Sequence, residues 1–266
     1  QGFEVTYISP DESGRVSSDD VLNAVREDTL LVSVMHANNE TGIIQPVKEI
    51  GDALSGRDIF FHVDAAQTFG KLVEELRGVK YTFLSASAHK MYGPQGVGVL
   101  VMRKKRYKLP PLTPMFFGGS QEHGFRPGTV PTALIAGMGE ACRIAEKEYA
   151  ENLKKYEETK QMIYQLLEQS GISYSVNGDR NYCIPNTLNV RLYGMNSVAL
   201  MQYCKQFCGM SNGSACNAAS HEPSHVLKAM GFSDEHTEQS IRLSWGNGSF
   251  DTEDFVRMLE VAKSWT

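Results

Sequence analysis

Tyr81-Thr82-Phe83-Leu84-Ser85-Ala86-Ser87-Ala88-His89-Lys90-Met91-Tyr92-Gly93-Pro94-Gln95-Gly96-Val97-Gly98-Val99-Leu100-Val101-Met102 is two strand-like runs joined by a polar, glycine-rich turn. Tyr81 to Ser85 is apolar enough for a buried strand, and Val97 to Met102 for another. Between them stand Ser87, His89 and Lys90 at the end of the first run, then Gly93, Gly96 and Gly98 leading into the second. Upstream, Leu30 to Met35 and Ile59 to Val63 are continuous apolar runs, as strands buried on both faces would be. Helical segments alternate with them. Asp19 to Glu27 follows Ser17 and Ser18 as caps, and Gln45 to Leu54 has Pro46 near its first turn. Strands separated by helices imply βαβ units. The first part is therefore expected to be α/β, a mostly parallel sheet with flanking helices, over residues 1–131.

A long helical stretch follows, about Thr132 to Gln169. Its first half is apolar and its second half, from Glu148 to Lys160, is highly charged. Residues 132–170 thus read as a helix connecting the first domain to a second, 171–266. There the pattern changes to α+β: strands at Ser173–Val176, Thr187–Leu192 and Ser240–Ser244, and helices at Val198–Phe207, Ser224–Met230 and Thr252–Lys263.

Composition excludes several classes. The 266 residues are 41% apolar and 21% charged, with a formal net charge of -5. Without a basic excess, nucleic acid is not an expected direct ligand. No apolar run is long enough to cross a bilayer. Gln1-Gly2-Phe3-Glu4 has no basic-then-apolar signal and no initiator Met, so a chain lacking its natural beginning is expected. The five cysteines, Cys142, Cys183, Cys204, Cys208 and Cys216, argue against a secreted disulfide scaffold and for a reducing, cytoplasmic setting. Cys204 and Cys208 lack a second pair or a nearby His to complete a zinc set, so they read as buried apolar residues.

Polar groups gather at the strand ends, where open α/β sheets bind ligands. The first strand ends in His36-Ala37-Asn38-Asn39-Glu40-Thr41-Gly42, the second in His62-Val63-Asp64-Ala65-Ala66-Gln67, the third in Ser87-Ala88-His89-Lys90. An Asp at one strand end and a Lys at another suit pyridoxal 5'-phosphate: the carboxylate pairs with the protonated ring nitrogen, and the amine takes the aldehyde as a Schiff base. Asn39 and Gln67 are placed to serve the phenolic oxygen, and Ser87 and His89 the phosphate. Each residue alone is weak, since an Asp at a strand end is more often a turn or cap residue. Gly93 to Gly98 lacks the Gly-Lys-Ser/Thr ending of a Walker loop and reads better as a tight turn. His36, His62, His89 and Asp64 lack the spacing of a metal site, and no metal is expected.

Taken together, Asn38 to Gly42, His62 to Gln67 and Ser87 to Pro94 resemble consecutive signatures of cysteine desulfurases, in the class V aminotransferase group of fold-type I pyridoxal-phosphate enzymes. Gly118-Gly119-Ser120-Gln121-Glu122 and Phe125-Arg126-Pro127-Gly128-Thr129 resemble the family's glycine-rich segment and Arg-x-Gly-Thr motif. Ser211-Asn212-Gly213-Ser214-Ala215-Cys216, followed by Glu222 to Leu227, resembles its catalytic cysteine loop, in the longer form of the housekeeping branch. Ile241-Arg242-Leu243-Ser244 resembles the strand holding the arginine for the substrate carboxylate. The resemblance implies roles. Lys90 holds the cofactor and moves protons, and Asp64 pairs the ring nitrogen. Asn39 and Gln67 bond the ring's oxygen side, Asn39 also facing substrate. Ser87 and His89 bind phosphate, and Thr129 reaches the phosphate site of the partner in a homodimer. Arg242 grips the substrate carboxylate, for which a planar fork is suited. Cys216 attacks the substrate sulfur and becomes a persulfide.

Cys216 has its own case. It lies among small polar residues, Ser211 to Ser220, as an exposed thiol that must reach the cofactor and then an acceptor would. The expected function is therefore conversion of L-cysteine to L-alanine, with sulfur passed from Cys216 to acceptor proteins for iron-sulfur assembly or for tRNA or DNA thiolation. A selenocysteine lyase and a non-catalytic sulfur-relay scaffold are the alternatives. Family members also carry an earlier segment with a phosphate-binding turn and a histidine that stacks on the ring, neither of which is found in this sequence.

Overall fold

The computed structural model describes residues 2–213 and 223–265. In chain order the elements are α1 (Ser18–Asn23), β1 (Leu31–Met35), α2 (Val47–Leu54), β2 (Phe60–Asp64), α3 (Val73–Arg77), β3 (Phe83–Ser87), β4 (Gly98–Met102), α4 (Thr132–Ser170), β5 (Tyr174–Val176), β6 (Thr187–Leu192), α5 (Ser197–Cys204), α6 (His225–Ala229), α7 (Asp234–Glu238), β7 (Ser240–Ser244) and α8 (Thr252–Lys263). They form two compact units. One, the sheet unit, holds residues 25–36 and 47–149; the other, the C-terminal unit, holds 1–24, 37–46 and 150–266.

The sheet unit is built on four strands in the order β1-β2-β3-β4. The first three are parallel and β4 returns antiparallel to β3. This is the α/β, mostly parallel sheet that the alternation of strands and helices demands. Leu84 and Ala86 of β3 pack with Leu76 of α3, and Ala88 and Met91 pack with Met138 and Ala141 of α4. The helix α2 lies so close that a Cβ on Gly51 would stand 2.7 Å from the Lys80 carbonyl oxygen. The opposite face differs from expectation. Leu31, Met35 and Leu100 are exposed, and β1 alternates between exposed and half-buried positions. The apolar runs were read as buried on both faces, but the unit's helices cover only one.

The C-terminal unit carries a three-stranded antiparallel sheet in the order β5-β6-β7. Leu188, Val190 and Leu192 of β6 and Ile241 and Leu243 of β7 face a core completed by Leu200 and Cys204 of α5 and Phe255, Met258, Leu259 and Ala262 of α8. Each such side chain contributes roughly 1.5–3 kcal/mol by leaving water. Alternation puts Asn189, Arg191, Ser240 and Arg242 on the other face, with Asn189 opposite Arg242. The N-caps are side chains that accept backbone N–H groups: Ser17 for α1, Asn196 for α5, Ser224 for α6, Asp251 for α8. The helix α4 runs unbroken over 39 residues. Among the described residues no helix is long and apolar enough to cross a membrane.

Candidate active site

In the sheet unit, register brings the ends of three parallel strands together: Met35 pairs with Asp64, and Asp64 with Ser85. His62 bridges them. Its Nδ1 is 2.8 Å from Ser33 Oγ and its Nε2 3.0 Å from Ser85 Oγ. Burial lowers the pKa of His62, with the Asp64 charge opposing, so the neutral ring is favoured. Asp64 closes its own turn: Oδ1 accepts from Ala66 N at 2.9 Å. Its other oxygen has no donor among the described residues, which leaves it able to accept from a ligand.

After β3 the chain enters a short 3₁₀ turn, Ala88–Met91, anchored by the fully buried Ala88 and closed by Gly93 N donating to Ala88 O at 2.9 Å. Tyr92 ends the turn in left-handed backbone, φ 66°. His89 and Lys90 project from this anchored turn. His89 Nδ1 lies 2.7 Å from Ser87 Oγ, so hydroxyl and imidazole form one polar edge. Lys90 is half-buried and makes no hydrogen bond or ion pair among the described residues. Lys71, in the turn after β2, adds a second amine. Burial, with a smaller contribution from the charge of Lys90, pulls its pKa down to about 8. Sequence reasoning passed over Lys71; its distance of seven residues from Asp64 in a polar turn was the available signal. Lys90, next to His89 and with Lys71 near enough to feel its charge, has no carboxylate partner among the described residues, which favours an anionic group such as a phosphate, and an open carboxylate oxygen favours a protonated ring nitrogen. This donor set fits pyridoxal phosphate. Gln67 is half-buried on the same turn, whereas Thr129 is exposed.

The other two expected residues lie in the C-terminal unit and meet there. Arg242 Nη1 donates to the Asn39 carbonyl oxygen at 2.7 Å. Asn38 shapes the turn that presents Asn39: its Oδ1 accepts from Glu40 N at 2.8 Å and Thr41 N at 3.0 Å. Gly42 closes it in left-handed backbone, φ 75°, with Gly42 N donating to Asn38 O at 2.9 Å. Asn189 Nδ2 holds the Glu40 carbonyl oxygen at 3.0 Å. The backbone on either side of the Asn39–Glu40 peptide is thus fixed by side chains of β6 and β7. Cys216 lies outside the described residues. The other four cysteines are unpaired, and burial raises the pKa of each. For Cys208 the rise reaches about 11, so these thiols are poor nucleophiles at neutral pH.

A family model described as aminotransferase class-V matches residues 1–253. The chain is 42% identical over 264 residues to the cysteine desulfurase IscS of Colwellia psychrerythraea, covering 99% of this chain and 64% of that protein. It is 42% identical over 254 residues to the cysteine desulfurase IscS of Neisseria meningitidis, covering 95% and 62%. It therefore spans under two thirds of the length of these curated relatives. Among solved structures, DndA from Streptomyces lividans matches with a TM-score of 0.81 at 38% identity, over 93% of this chain and 69% of that one. SspA in complex with cysteine matches with a TM-score of 0.76 at 35% identity, over 94% and 68%.

Proposed function

The chain belongs to the aminotransferase class-V family, and from that premise we propose that it serves a pyridoxal-phosphate-dependent cysteine desulfurase, which takes L-cysteine to L-alanine and leaves the sulfur on Cys216 for acceptor proteins. The observation that carries this reading is Lys90: an amine on an anchored turn, without a counter-charge among the described residues, one strand away from the open oxygen of Asp64. The relatives named as cysteine desulfurases, and the SspA structure with cysteine, support the substrate.

When bound, pyridoxal phosphate supplies the electron sink that makes the substrate Cα–H acidic. The protein's residues do the rest. Lys90 Nζ would hold the cofactor aldehyde and, once released by substrate, carry the proton taken from Cα. Asp64 accepts from the ring nitrogen and keeps it protonated. Gln67 and Asn39 serve the ring oxygen, and Ser87, His89 and, from a partner chain, Thr129 the phosphate. Arg242 grips the substrate carboxylate with a fork whose orientation is set through Asn39 O. The Cys216 thiolate attacks the substrate sulfur: an S–S bond forms as the Cβ–S bond breaks, and the carbon electron pair takes a proton to give the alanine methyl group. Cysteine and one enzyme thiol thereby become alanine and one enzyme persulfide, with no external oxidant. A homodimer and a cytoplasmic setting belong to the same proposal.

Two mass measurements test it. Borohydride reduction of the cofactor-loaded protein is expected to fix the cofactor on the peptide that contains Lys90. Incubation with cysteine is expected to add one sulfur atom to the Cys216 peptide, removable by a thiol reductant, with alanine released. Cofactor fixed on another lysine, or sulfur on one of the other four cysteines, would overturn the assignment.

A further inference from the structure

Glu40 is a carboxylate almost wholly removed from water, 1% exposed, and no cation pairs with it among the described residues. A buried carboxyl group needs hydrogen-bond partners, and among the described residues Ser224 supplies one. Ser224 Oγ lies 2.5 Å from Glu40 Oε2. The same hydroxyl caps α6 by accepting Leu227 N at 3.2 Å, so its own proton is directed to Glu40. On the other side, a Cβ on Gly213 would stand 3.5 Å from Glu40 Oε2 and 3.8 Å from Ser224 Cβ. Gly213 is itself tied back: Ser211 Oγ donates to Gly213 O at 3.0 Å, and Ser211 exchanges backbone hydrogen bonds with Arg242. Gly213 and Ser224, which flank residues 214–222, therefore both lie beside a single carboxylate, and that carboxylate follows Asn39 directly in the chain.

We propose that Glu40 is a positioning residue, which fastens both stems of the Cys216 segment, through Ser224 and beside Gly213, to the Asn38–Gly42 turn that presents Asn39 and orients Arg242. The inference rests on Cys216 being the sulfur acceptor. Loss of this link is therefore expected to change how readily the Cys216 thiol reacts.

The test separates the link to Glu40 from the helix cap. Ser224→Asp keeps an acceptor for Leu227 N–H but has no hydroxyl proton, and it sets a second carboxylate against Glu40. Ser224→Asn keeps both an acceptor and a donor. The first readout needs no turnover: the rate of iodoacetamide alkylation of Cys216 in cysteine-free protein, followed on its peptide by mass. In Ser224→Asp that rate is expected to rise about threefold or more, while Cys142 and Cys208 do not change. In the cofactor-loaded protein kcat is expected to fall about tenfold, with KM for cysteine altered by less than about twofold. Ser224→Asn is expected to stay near wild type in both. Should Ser224→Asp fail to fold, Ser224→Gly removes the same link at a small capping cost and is read the same way. Unchanged Cys216 alkylation in a folded variant, or an Asn variant that behaves like the Asp variant, would overturn the proposal. A wild type that makes no alanine, together with the alkylation change in Ser224→Asp, would remove the desulfurase reading and still support the link.

Discussion

Asp64 spends one carboxylate oxygen on its own turn, accepting Ala66 N–H, and keeps the other open at the strand ends. Among the described residues Lys90 and Lys71 have no carboxylate partners either, and the low pKa of Lys71 follows from burial. Groups left this way are free for a ligand rather than consumed by the fold. In the sequence, Asp64 and Lys90 stand out as candidates because chemistry of this kind concentrates at the ends of parallel strands. Lys71 offered only its place in the turn after Asp64, and Glu40 offered nothing, because a sequence does not show which charged side chains the fold takes from water. If Asp64 holds the ring nitrogen protonated, Asp64→Asn should still fold and bind the cofactor but lose its electron sink. Alanine formation is expected to fall by a factor on the order of a hundred or more, with the thermal transition close to wild type. Equal turnover in the two proteins would take Asp64 out of that role.

At the scale of elements, long periodic segments were readable, and short ones only where flanking residues marked them, as Ser224 marks α6. The bounds of β6, β7 and α8 follow from alternation and capping alone, since Leu188, Val190 and Leu192 must face one way and Asp251 supplies the cap. The five-residue helices α3 and α7 carry too few turns to leave a period, and the sequence reading did not anticipate them. What fastens one element to another was also hidden. His36, at the end of β1, is 2% exposed and meets Thr68 Oγ1, in the turn after β2, at 2.8 Å. Glu75 Oε2 stands 3.8 Å from its other nitrogen, beyond hydrogen-bond reach and half exposed, so burial prevails and brings the His36 pKa down to about 4. A histidine whose pKa is depressed on folding is held neutral. Its stabilising contribution is complete above the unfolded value of 6.5 and is lost as pH falls from there toward 4. The loss amounts to about 3 kcal/mol. His36→Gln keeps a partner for Thr68 and lacks the titration. In urea unfolding across this range the wild type should lose stability relative to the variant by about that amount. Parallel profiles would show that His36 does not titrate as its burial requires.

At the scale of the whole molecule, the chain has more apolar surface than its own units cover. Tyr107, Met115, Phe116 and Phe117 are exposed at 96%, 85%, 69% and 82%. Further along the same stretch, in Arg126-Pro127-Gly128-Thr129, Gly128 N is held by Gln121 Oε1 at 3.1 Å and Thr129 stays exposed with no partner among the described residues. Thr129 has a use if a second copy presents it to the phosphate site, and exposed Phe116 and Phe117, upstream in the same stretch, could give such a contact apolar area. Sedimentation of the cofactor-loaded protein is therefore expected to give the mass of two chains. Phe116→Asp together with Phe117→Asp should shift the distribution to one chain and weaken cofactor retention, since the partner's hydroxyl would be withdrawn. Thr129→Ala should leave the dimer intact and weaken retention alone, because the interface keeps its apolar area. A monomer that retains the cofactor as tightly as wild type in all three proteins would show that each chain completes its own site, and Thr129 would lose the role proposed for it.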